Sequence, residues 1–131
     1  MKKQLQKLLD RARFVRAYGF RVVSVSKAKC VLELPHRPIL ERPGGIMNGP
    51  ALMAAADCAM WLAIKAHIGV EGDALTSELN TSFLAPAKGV HVYCTARILK
   101  LGRRRIYGTA ECHDKKGNLF SHHTVTYVRS S

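Results

Sequence analysis

The stretch that decides the fold is residues 48–64, NGPALMAAADCAMWLAI, which is apolar almost throughout and carries one acid, Asp57. Pro50 suits the first turn of a helix, because the N–H that proline lacks has no helical partner there. The run therefore predicts a core helix from about Gly49 to His67. Removing an ionised carboxylate from water costs several kcal/mol unless it is paired or hydrogen-bonded. Asp57 is thus predicted to be either a structural residue with a partner or a working residue.

Length and composition predict one domain over residues 1–131, long enough to bury a real core. The four cysteines lie far apart and form no C-x-x-C pair, so reduced thiols in a cytoplasmic protein are the simplest interpretation. The most apolar segment, 50–64, is shorter than the ~20 residues of a membrane span, and no secretory signal is expected at the N-terminus. We expect a cytoplasmic domain without a membrane span.

The formal net charge of +12 is concentrated in two short stretches. Residues 1–16 hold six basic residues against Asp10, a balance of +5, and residues 100–105, KLGRRR, add another +4. Clustered positive charge implies an anionic partner more strongly than the same charge spread evenly. Nucleic acid, anionic lipid and a phosphate-bearing small molecule all fit this pattern.

The periodicity of the remaining chain predicts the element order αββαββββ. Apolar residues at helical spacing predict a first helix over about 3–17, ended by Gly19, so that residues 1–18 form an extra basic N-terminal helix. Residues 36–49, rich in proline and glycine, are expected to form a loop. Alternation predicts strands over 20–26, 28–34, 74–84, 90–100, 103–113 and 118–128. The predicted fold class is α+β, an antiparallel sheet wrapped around one long central helix.

One of these strands shows its two faces clearly. In residues 90–100 the smaller apolar side chains share one face and the polar ones the other, the apolar set being Val90, Val92, Cys94, Ala96 and Ile98. Such a strand is expected to bury its apolar face against the central helix.

The start of the central helix has the chemistry of an oxyanion site. Helix N-termini present unpaired N–H groups and a partial positive charge. Gly49 lets a substrate approach such an N–H without a side chain in the way, and an N–H aimed at a carbonyl oxygen stabilises the oxyanion formed when the carbonyl is attacked. Asp57, eight residues later, is a candidate general base or nucleophile.

The segment NGPALMAAAD, residues 48–57, resembles the motif H-G-G-x-x-x-x-x-x-D of the PaaI-like branch of the hotdog-fold acyl-CoA thioesterases. Asn48 stands in place of the histidine and Pro50 in place of the second glycine. The resemblance covers roughly residues 20–128. It implies a hotdog fold in which Gly49 supplies the oxyanion N–H and Asp57 activates water or attacks the thioester, with Asn48 beside them.

Three further stretches resemble the same family. LTSELNTSFLAPAK, residues 75–88, is similar to the strand that lines the pocket, and it places Thr76 where a hydroxyl often assists. One position departs from the family: Arg42 stands seven positions before the glycine, where some members carry an amide residue. KLGRRR is similar to a turn that contacts coenzyme A, and a second such loop contains Lys88. The implied coenzyme A-binding residues are Arg42, Lys88, Lys100, Gly102, Arg103 and Arg104.

Each of these features also has a purely structural interpretation. Asn48 is a good N-cap residue, so Asn48 and Gly49 could simply begin the helix. Thr76 could be an ordinary strand threonine and KLGRRR a solvated turn. His122 and His123 point to opposite faces of one strand and cannot chelate one metal. The other histidines are interpreted as surface or packing residues, and we predict neither a metal site nor a cofactor beyond the coenzyme A of the substrate.

Three functions of different classes fit the sequence. The first is an acyl-CoA thioesterase, which is the function we predict. The second is a non-catalytic basic module for nucleic acid or anionic lipid, although Phe, Trp and Tyr total only nine and the strands lack the aromatic residues on which bases stack. The third is a hotdog dehydratase or hydratase, in which a histidine pairs with an acid. His36, the only histidine in the upstream loop, stands 21 residues before Asp57.

The spacing of Gly49 and Asp57 predicts a site shared between two chains. Eight residues of helix separate them by about 12 Å along the axis. An attacking atom must come within roughly 3–3.5 Å of the carbonyl. Two such helices packed antiparallel across a two-fold axis could bring Gly49 of one chain to Asp57 of the other. The family resemblance likewise implies a homodimer or a dimer of dimers.

Overall fold

A computed structural model describes residues 1–130 of the chain. It contains two α-helices, α1 (Lys2–Arg11) and α2 (Gly49–Ile68), and 3-10 helices at Arg13–Tyr18 and Pro38–Leu40. The eight strands are β1 (Arg21–Ser26), β2 (Lys29–Leu34), β3 (Glu41–Arg42), β4 (Ile46–Met47), β5 (Ala74–Phe83), β6 (Val92–Leu101), β7 (Arg105–His113) and β8 (Leu119–Arg129).

Six of the strands form one antiparallel sheet that curls around α2. Their order is β1-β2-β6-β7-β8-β5, while β3 and β4 form a separate two-stranded sheet. The residues of α2 that face the sheet are buried, and many are alanine, which lets strand and helix approach closely. A Cβ built on Gly108 of β7 would lie 2.5 Å from Cε of Met60. The predicted α+β architecture, a sheet around a central helix with an extra N-terminal helix, is confirmed.

The central helix begins and packs as the sequence predicts. The Asn48 side chain caps it, since its Oδ1 accepts from the N–H of Ala51 at 2.8 Å. The helix is 20 residues long and apolar enough to cross a membrane by length and composition, but 61% of its most apolar window is buried inside the domain. That burial is expected of a core helix.

The two edges of the large sheet differ in what covers them. At β1, the Gln6 side chain of α1 accepts from the N–H of Val22 at 2.7 Å and donates to the carbonyl of Phe20 at 3.2 Å. At the other edge, β5 pairs with β8 alone within residues 1–130. The outward backbone groups of this ten-residue strand are therefore open to pairing with a second chain.

The N-terminal segment is not the single helix predicted over 3–17. α1 ends at Arg11, Ala12 is extended with φ −79° and ψ 101°, and a 3-10 helix follows. Residues 9 and 15 would lie about 120° apart around a continuous α-helix. Because the chain changes direction at Ala12, Leu9 and Val15 both reach the core, with exposed fractions of 2% and 3%.

Two smaller predictions are also corrected. The connection 36–49 contains the second 3-10 helix and the β3–β4 hairpin rather than loop alone. The strand predicted over 90–100 begins at Val92, and Val90 is 36% exposed instead of sharing the buried face. The residues before Val92 do not extend this strand, because Lys88 instead forms a β-bridge with Ile46 of β4.

One flank of α2 stays partly open beside β5. Asp57 accepts a hydrogen bond from Thr76 of β5, and the Phe83 ring lies against Gly49. From Gly49 to one turn beyond Asp57, α2 presents side chains that are not fully buried, spaced as one helical stripe: Pro50, Met53, Ala54, Asp57 and Trp61. Both predicted catalytic positions therefore lie on this flank, about two helical turns apart.

Candidate active site

The carboxylate of Asp57 is held by two hydroxyl groups. Thr76 Oγ1 and the Tyr127 hydroxyl each donate to Oδ1 of Asp57 at 2.7 Å, and the Tyr127 hydroxyl also lies 3.0 Å from the Asp57 carbonyl oxygen. No donor within residues 1–130 is bonded to Oδ2, and no cation pairs with this half-buried side chain. One oxygen is thus fixed in place, while the other is left for a water or a substrate.

A bulge in β5 aims Thr76 at Asp57. Thr76 pairs with Tyr127 of β8 and Glu78 pairs with Thr126, so Ser77 is an extra residue between them. In a regular strand Thr76 and Glu78 would point to the same side, and Glu78 is exposed. The bulge instead turns Thr76 toward α2. The Thr76 hydroxyl, predicted to stand where a hydroxyl often assists, therefore donates to Asp57 itself.

Tyr127 is a site residue that the sequence analysis did not single out. Burial, and then the charge of Asp57, raise the pKa of its phenol well above the usual range, so the hydroxyl stays protonated as a donor. A signal was present in the sequence, since Tyr127 falls on the inward-facing positions of β8, two residues after Val125. A buried tyrosine usually finds a partner for its O–H, and here the partner is Asp57.

Asp57 lines a cleft of about 270 Å³ at the open flank. The polar groups of the lining are gathered at one place, Asp57 with Thr76 and Tyr127. The remaining lining residues are apolar or carry a thiol: Leu9, Ala12, Phe14, Val15, Cys58, Trp61, Ala74 and Leu75. The cleft thus presents one carboxylate beside an otherwise largely apolar lining.

Gly49 lines a different cleft, of about 370 Å³, which also contains Arg42. A Cβ added at Gly49 would lie 2.9 Å from the Phe83 ring. The ring therefore covers part of the helix start, and a side chain at position 49 would fill the space that remains. The hydrogen bonds described within residues 1–130 use the N–H of Ala51 at this helix start and leave that of Gly49 free. The Gly49 N–H is therefore available to a carbonyl oxygen.

The side chain of Asn48 is committed to the protein itself. Its Oδ1 caps α2, and its Nδ2 donates to the carbonyl of Leu40 at 2.7 Å. Asn48 therefore fixes the position of the neighbouring Gly49, and a direct role for it in catalysis stays a prediction.

The arginines predicted to bind coenzyme A occupy a third cleft. Arg103 and Arg104 line about 400 Å³ of space at the β6–β7 hairpin, together with Arg105, Val128 and Arg129. The N–H of Arg129 donates to the carbonyl of Arg104 at 2.7 Å, which brings the end of β8 to the hairpin. Arg105 belongs to the predicted KLGRRR turn, whereas Arg129 was missed, because nothing local shows that residue 129 lies beside residues 103–105.

The remaining predicted residues lie near these clefts but line none of them. Gly102 closes the hairpin, its N–H donating to the Arg105 carbonyl at 2.9 Å, and Lys100 pairs with Tyr107 across it. Lys88 is exposed on the loop beside Gly45. The structure thus brings Asp57 to Thr76, Gly49 to Arg42 and Arg103 to Arg104, but in one chain it does not bring these three pairs together.

The histidines lie apart from Asp57. None of them lines the Asp57 cleft, and His36 is bonded to Glu41 at 2.8 Å while His123 is fully buried between Thr81 and Ser121. Across residues 1–130, no three His, Cys, Asp or Glu side chains are grouped so that they could hold a metal ion. Within residues 1–130, therefore, no histidine pairs with Asp57, and the two acid–histidine contacts, His36 with Glu41 and His122 with Glu111, lie outside its cleft.

Comparisons with known proteins place the chain in one family. The family model described as "Thioesterase superfamily" matches residues 44–121. A relative from Thermoplasma acidophilum, provisionally named an esterase, is 28% identical over 123 residues, which is 94% of this chain and 92% of the relative. The structure of a conserved protein from Pseudomonas aeruginosa has 26% identity and a TM-score of 0.85, over 90% of this chain and 94% of that one. A mutant of the phenylacetic acid degradation protein PaaI from Thermus thermophilus has 25% identity and a TM-score of 0.79, over 89% and 98%.

Proposed function

The chain belongs to the thioesterase superfamily, with the hotdog fold of its PaaI-like members, and we propose that it hydrolyses acyl-CoA thioesters to a carboxylate and free coenzyme A. The observation that carries the proposal is the hydrogen bonding of Asp57. Thr76 and Tyr127 hold Oδ1, and Oδ2 is left open to the cleft. A carboxylate oriented in this way can act on a water or on a substrate carbonyl.

In the proposed reaction the thioester carbonyl accepts a hydrogen bond from the Gly49 N–H, which stabilises the oxyanion of the tetrahedral intermediate. As a general base, Asp57 takes a proton from water, and the hydroxide oxygen attacks the carbonyl carbon. Collapse of the intermediate breaks the C–S bond, and the proton passes from Asp57 to the sulfur. No cofactor is required in this scheme beyond the coenzyme A of the substrate.

As a nucleophile, Asp57 would instead attack the carbonyl carbon with Oδ2 and release coenzyme A, leaving an acyl anhydride for water to hydrolyse. The two routes differ in where the oxygen of water goes. In a single turnover in water labelled with oxygen-18, the general-base route labels only the product carboxylate. The nucleophilic route, when water attacks the Asp57 carbonyl of the anhydride, labels the Asp57 side chain, which peptide mass spectrometry detects.

We further propose that the working unit is a homodimer, alone or within a dimer of dimers. In one chain Gly49 and Asp57 line separate clefts, and about 12 Å of helix lies between them. The β5 edge is unpaired within residues 1–130, and the open flank of α2 runs beside it. Two chains joined there across a two-fold axis would place Gly49 of one next to Asp57 of the other.

The coenzyme A part of the substrate is assigned to basic residues. Arg42 shares the Gly49 cleft, and Lys88 lies on the neighbouring loop. The cleft with Arg103, Arg104 and Arg129 offers several guanidinium groups, which bind phosphate by charge-assisted, often bidentate hydrogen bonds.

Incubation of the purified protein with a panel of acyl-CoAs and a thiol reagent tests the proposal. We expect free thiol to appear with at least one acyl-CoA and the release to be lost in Asp57→Asn. A basic module for nucleic acid or lipid would release none, and a hydratase would change the absorbance of an enoyl-CoA without releasing thiol. Either of those results would contradict the thioesterase function.

A further inference from the structure

The cleft beside Asp57 has one wall that lies outside the region matched by the superfamily. That match begins at residue 44, whereas four lining residues come from the break between α1 and the first 3-10 helix: Leu9, Ala12, Phe14 and Val15. We propose that residues 9–15, here called the N-terminal wall, bind the acyl group of the substrate and set its length. The proposal rests on the proposed thioesterase function and names the acyl class: an aromatic ring or a medium-length chain.

The chemistry of the lining requires an apolar occupant. The hydroxyls of Thr76 and Tyr127 already donate to Asp57, so they offer no free donor to an acyl chain. The residues of the N-terminal wall that line the cleft, Leu9, Ala12, Phe14 and Val15, all carry hydrocarbon side chains, and Trp61 adds an indole on the side of α2. Beyond its carbonyl, an acyl group in this cleft would meet carbon almost everywhere, and removing that apolar surface from water favours binding.

The volume of the cleft limits the size of the occupant. An apolar cavity of about 150 Å³ is known to take a benzene ring. At about 270 Å³, this cleft has room for a ring with a few further carbons, or for a chain of comparable bulk. A long fatty chain would have to leave the cleft past the N-terminal wall.

The N-terminal wall is fixed at both ends, as a surface that selects by size must be. On one side, Gln6 bonds α1 to the start of β1, and Leu9 is buried. On the other side, Arg37 donates to the carbonyl of Ala17, and Val15 is buried. Between these anchors Phe14 is 77% exposed, an uncovered aromatic ring at the rim of the cleft, which an acyl group inside would partly cover.

The test is a chain-length profile of kcat/KM, measured from acetyl-CoA to dodecanoyl-CoA and with phenylacetyl-CoA. Ala12→Leu adds carbon to the cleft from the N-terminal wall. For the longest acyl-CoA that the wild-type protein hydrolyses well, we expect Ala12→Leu to lower kcat/KM about tenfold or more, which is roughly the effect of one methylene that does not fit the pocket. For acetyl-CoA, kcat/KM should stay within about threefold of the wild-type value. Ala17→Leu is the matched control, because Ala17 is exposed in the same segment and does not line the cleft.

A binding measurement separates recognition of the acyl group from catalysis. Trp61 is the only tryptophan of the chain, so its fluorescence reports on the cleft. In the Asp57→Asn protein, octanoyl-CoA should change the emission and coenzyme A alone should not. Adding Ala12→Leu to that protein should weaken the binding of octanoyl-CoA about tenfold, by the same misfit.

The outcomes distinguish this inference from the function on which it rests. If the wild-type protein hydrolyses none of the thioesters, the proposed function is wrong and the inference fails with it. If it hydrolyses them and Ala12→Leu lowers every kcat/KM by the same factor, or changes none, the thioesterase function stands. In that case the N-terminal wall does not select the acyl group.

Discussion

At the scale of single residues, the carboxylate of Asp57 in an apolar helix is explained by the two hydroxyls that hold it. Hydrogen bonds to a charged group contribute about 1.5–3 kcal/mol each, which offsets the cost of partial burial. Both donors use Oδ1, so satisfying the charge does not occupy the whole carboxylate. A purely structural aspartate would gain more from an ion pair or from donors on both oxygens. The arrangement therefore favours a working residue with structural support.

We expect Asp57→Asn to fold and to lower kcat by about 10²–10⁴, the usual contribution of an acid–base group. The amide oxygen can still accept from Thr76 and Tyr127, so the thermal midpoint should change little. Glu71→Gln is the control, since Glu71 is an exposed acid outside the clefts. Turnover near the wild-type value in a stable Asp57→Asn protein would end the catalytic interpretation.

The second residue-scale prediction concerns Tyr127, whose O–H positions Asp57. Tyr127→Phe keeps the ring in the core and removes one donor, which is worth about 1.5–3 kcal/mol when the acceptor is charged. We expect kcat to fall about tenfold or more while KM for acyl-CoA stays the same, because this hydroxyl donates to Asp57 and offers no free hydrogen bond to the substrate. Tyr107→Phe, on an exposed tyrosine of β7, is the control. A rise in KM with kcat unchanged would contradict a positioning role.

The sequence predicted Asp57 and Thr76 but not the contact between them. Nineteen residues separate them in the chain, and Tyr127 is 70 residues from Asp57. Their meeting depends on the register of β5 against β8 and on the bulge at Ser77. Period-two alternation tells which face of the sheet a side chain points to only where the strand is regular. A bulge shifts the alternation by one residue, and nothing in the neighbouring sequence shows that it occurs.

At the scale of elements, the β6–β7 hairpin is predicted well by its sequence, and its partner at the end of β8 is not. Glycine and charge in KLGRRR indicate an exposed tight turn, and Gly102 allows it: an added Cβ would lie 2.6 Å from the Arg105 carbonyl oxygen. Arg129 joins the turn only through the pairing of β7 with β8. Long-range pairing of this kind is set by the whole sheet.

Replacing Arg103 and Arg104 with alanine should raise KM for acyl-CoA several-fold or more. Coenzyme A carries phosphates that arginine holds by charge-assisted hydrogen bonds. Hydrolysis of a truncated pantetheine thioester, which lacks the nucleotide, should be nearly unchanged. Lys115→Ala with Lys116→Ala removes the same charge at the β7–β8 turn and controls for long-range steering. Equal losses on both substrates would show that the hairpin does not bind the nucleotide.

At the scale of the whole molecule, burial of the thiols makes stability depend on alkaline pH. All four cysteines are free and buried, and burial raises the pKa of Cys30 to about 12 and of Cys58, with help from the Asp57 charge, to about 12. The ordinary thiol pKa is about 8.5. The folded state thus favours the protonated thiols of Cys30 and Cys58, and this contribution is complete below pH 8.5 and lost as the pH rises toward 12.

We therefore expect the free energy of unfolding to fall above about pH 9, by up to roughly 1.4 kcal/mol per pH unit for each of these two thiols. Denaturant titrations at pH 8, 9, 10 and 11 measure the slope. Replacing Cys30 and Cys58 with alanine should flatten it, whatever the change in absolute stability. An equally steep slope in the double variant would show that other groups cause the loss.

The proposed shared active site is a property that only an assembled dimer can have. In one chain the Gly49 N–H and the Asp57 carboxylate open into separate clefts, and an aspartate side chain is too short to span about 12 Å of helix. In a two-fold dimer each site would take Gly49 from one chain and Asp57 from the other. A variant at either residue then disables both sites of its own dimer.

Complementation tests this arrangement directly. Gly49→Val places a side chain at the helix start, where even a Cβ lies 2.9 Å from the Phe83 ring, and should be inactive like Asp57→Asn. After equal amounts of the two exchange subunits, half of the dimers are mixed and each holds one intact site, so activity should return to about one quarter of wild type. Asp57→Asn mixed with Asp57→Ala should recover nothing. If mass analysis confirms the exchange and no activity returns, or if a monomer proves active, each site is built within one chain.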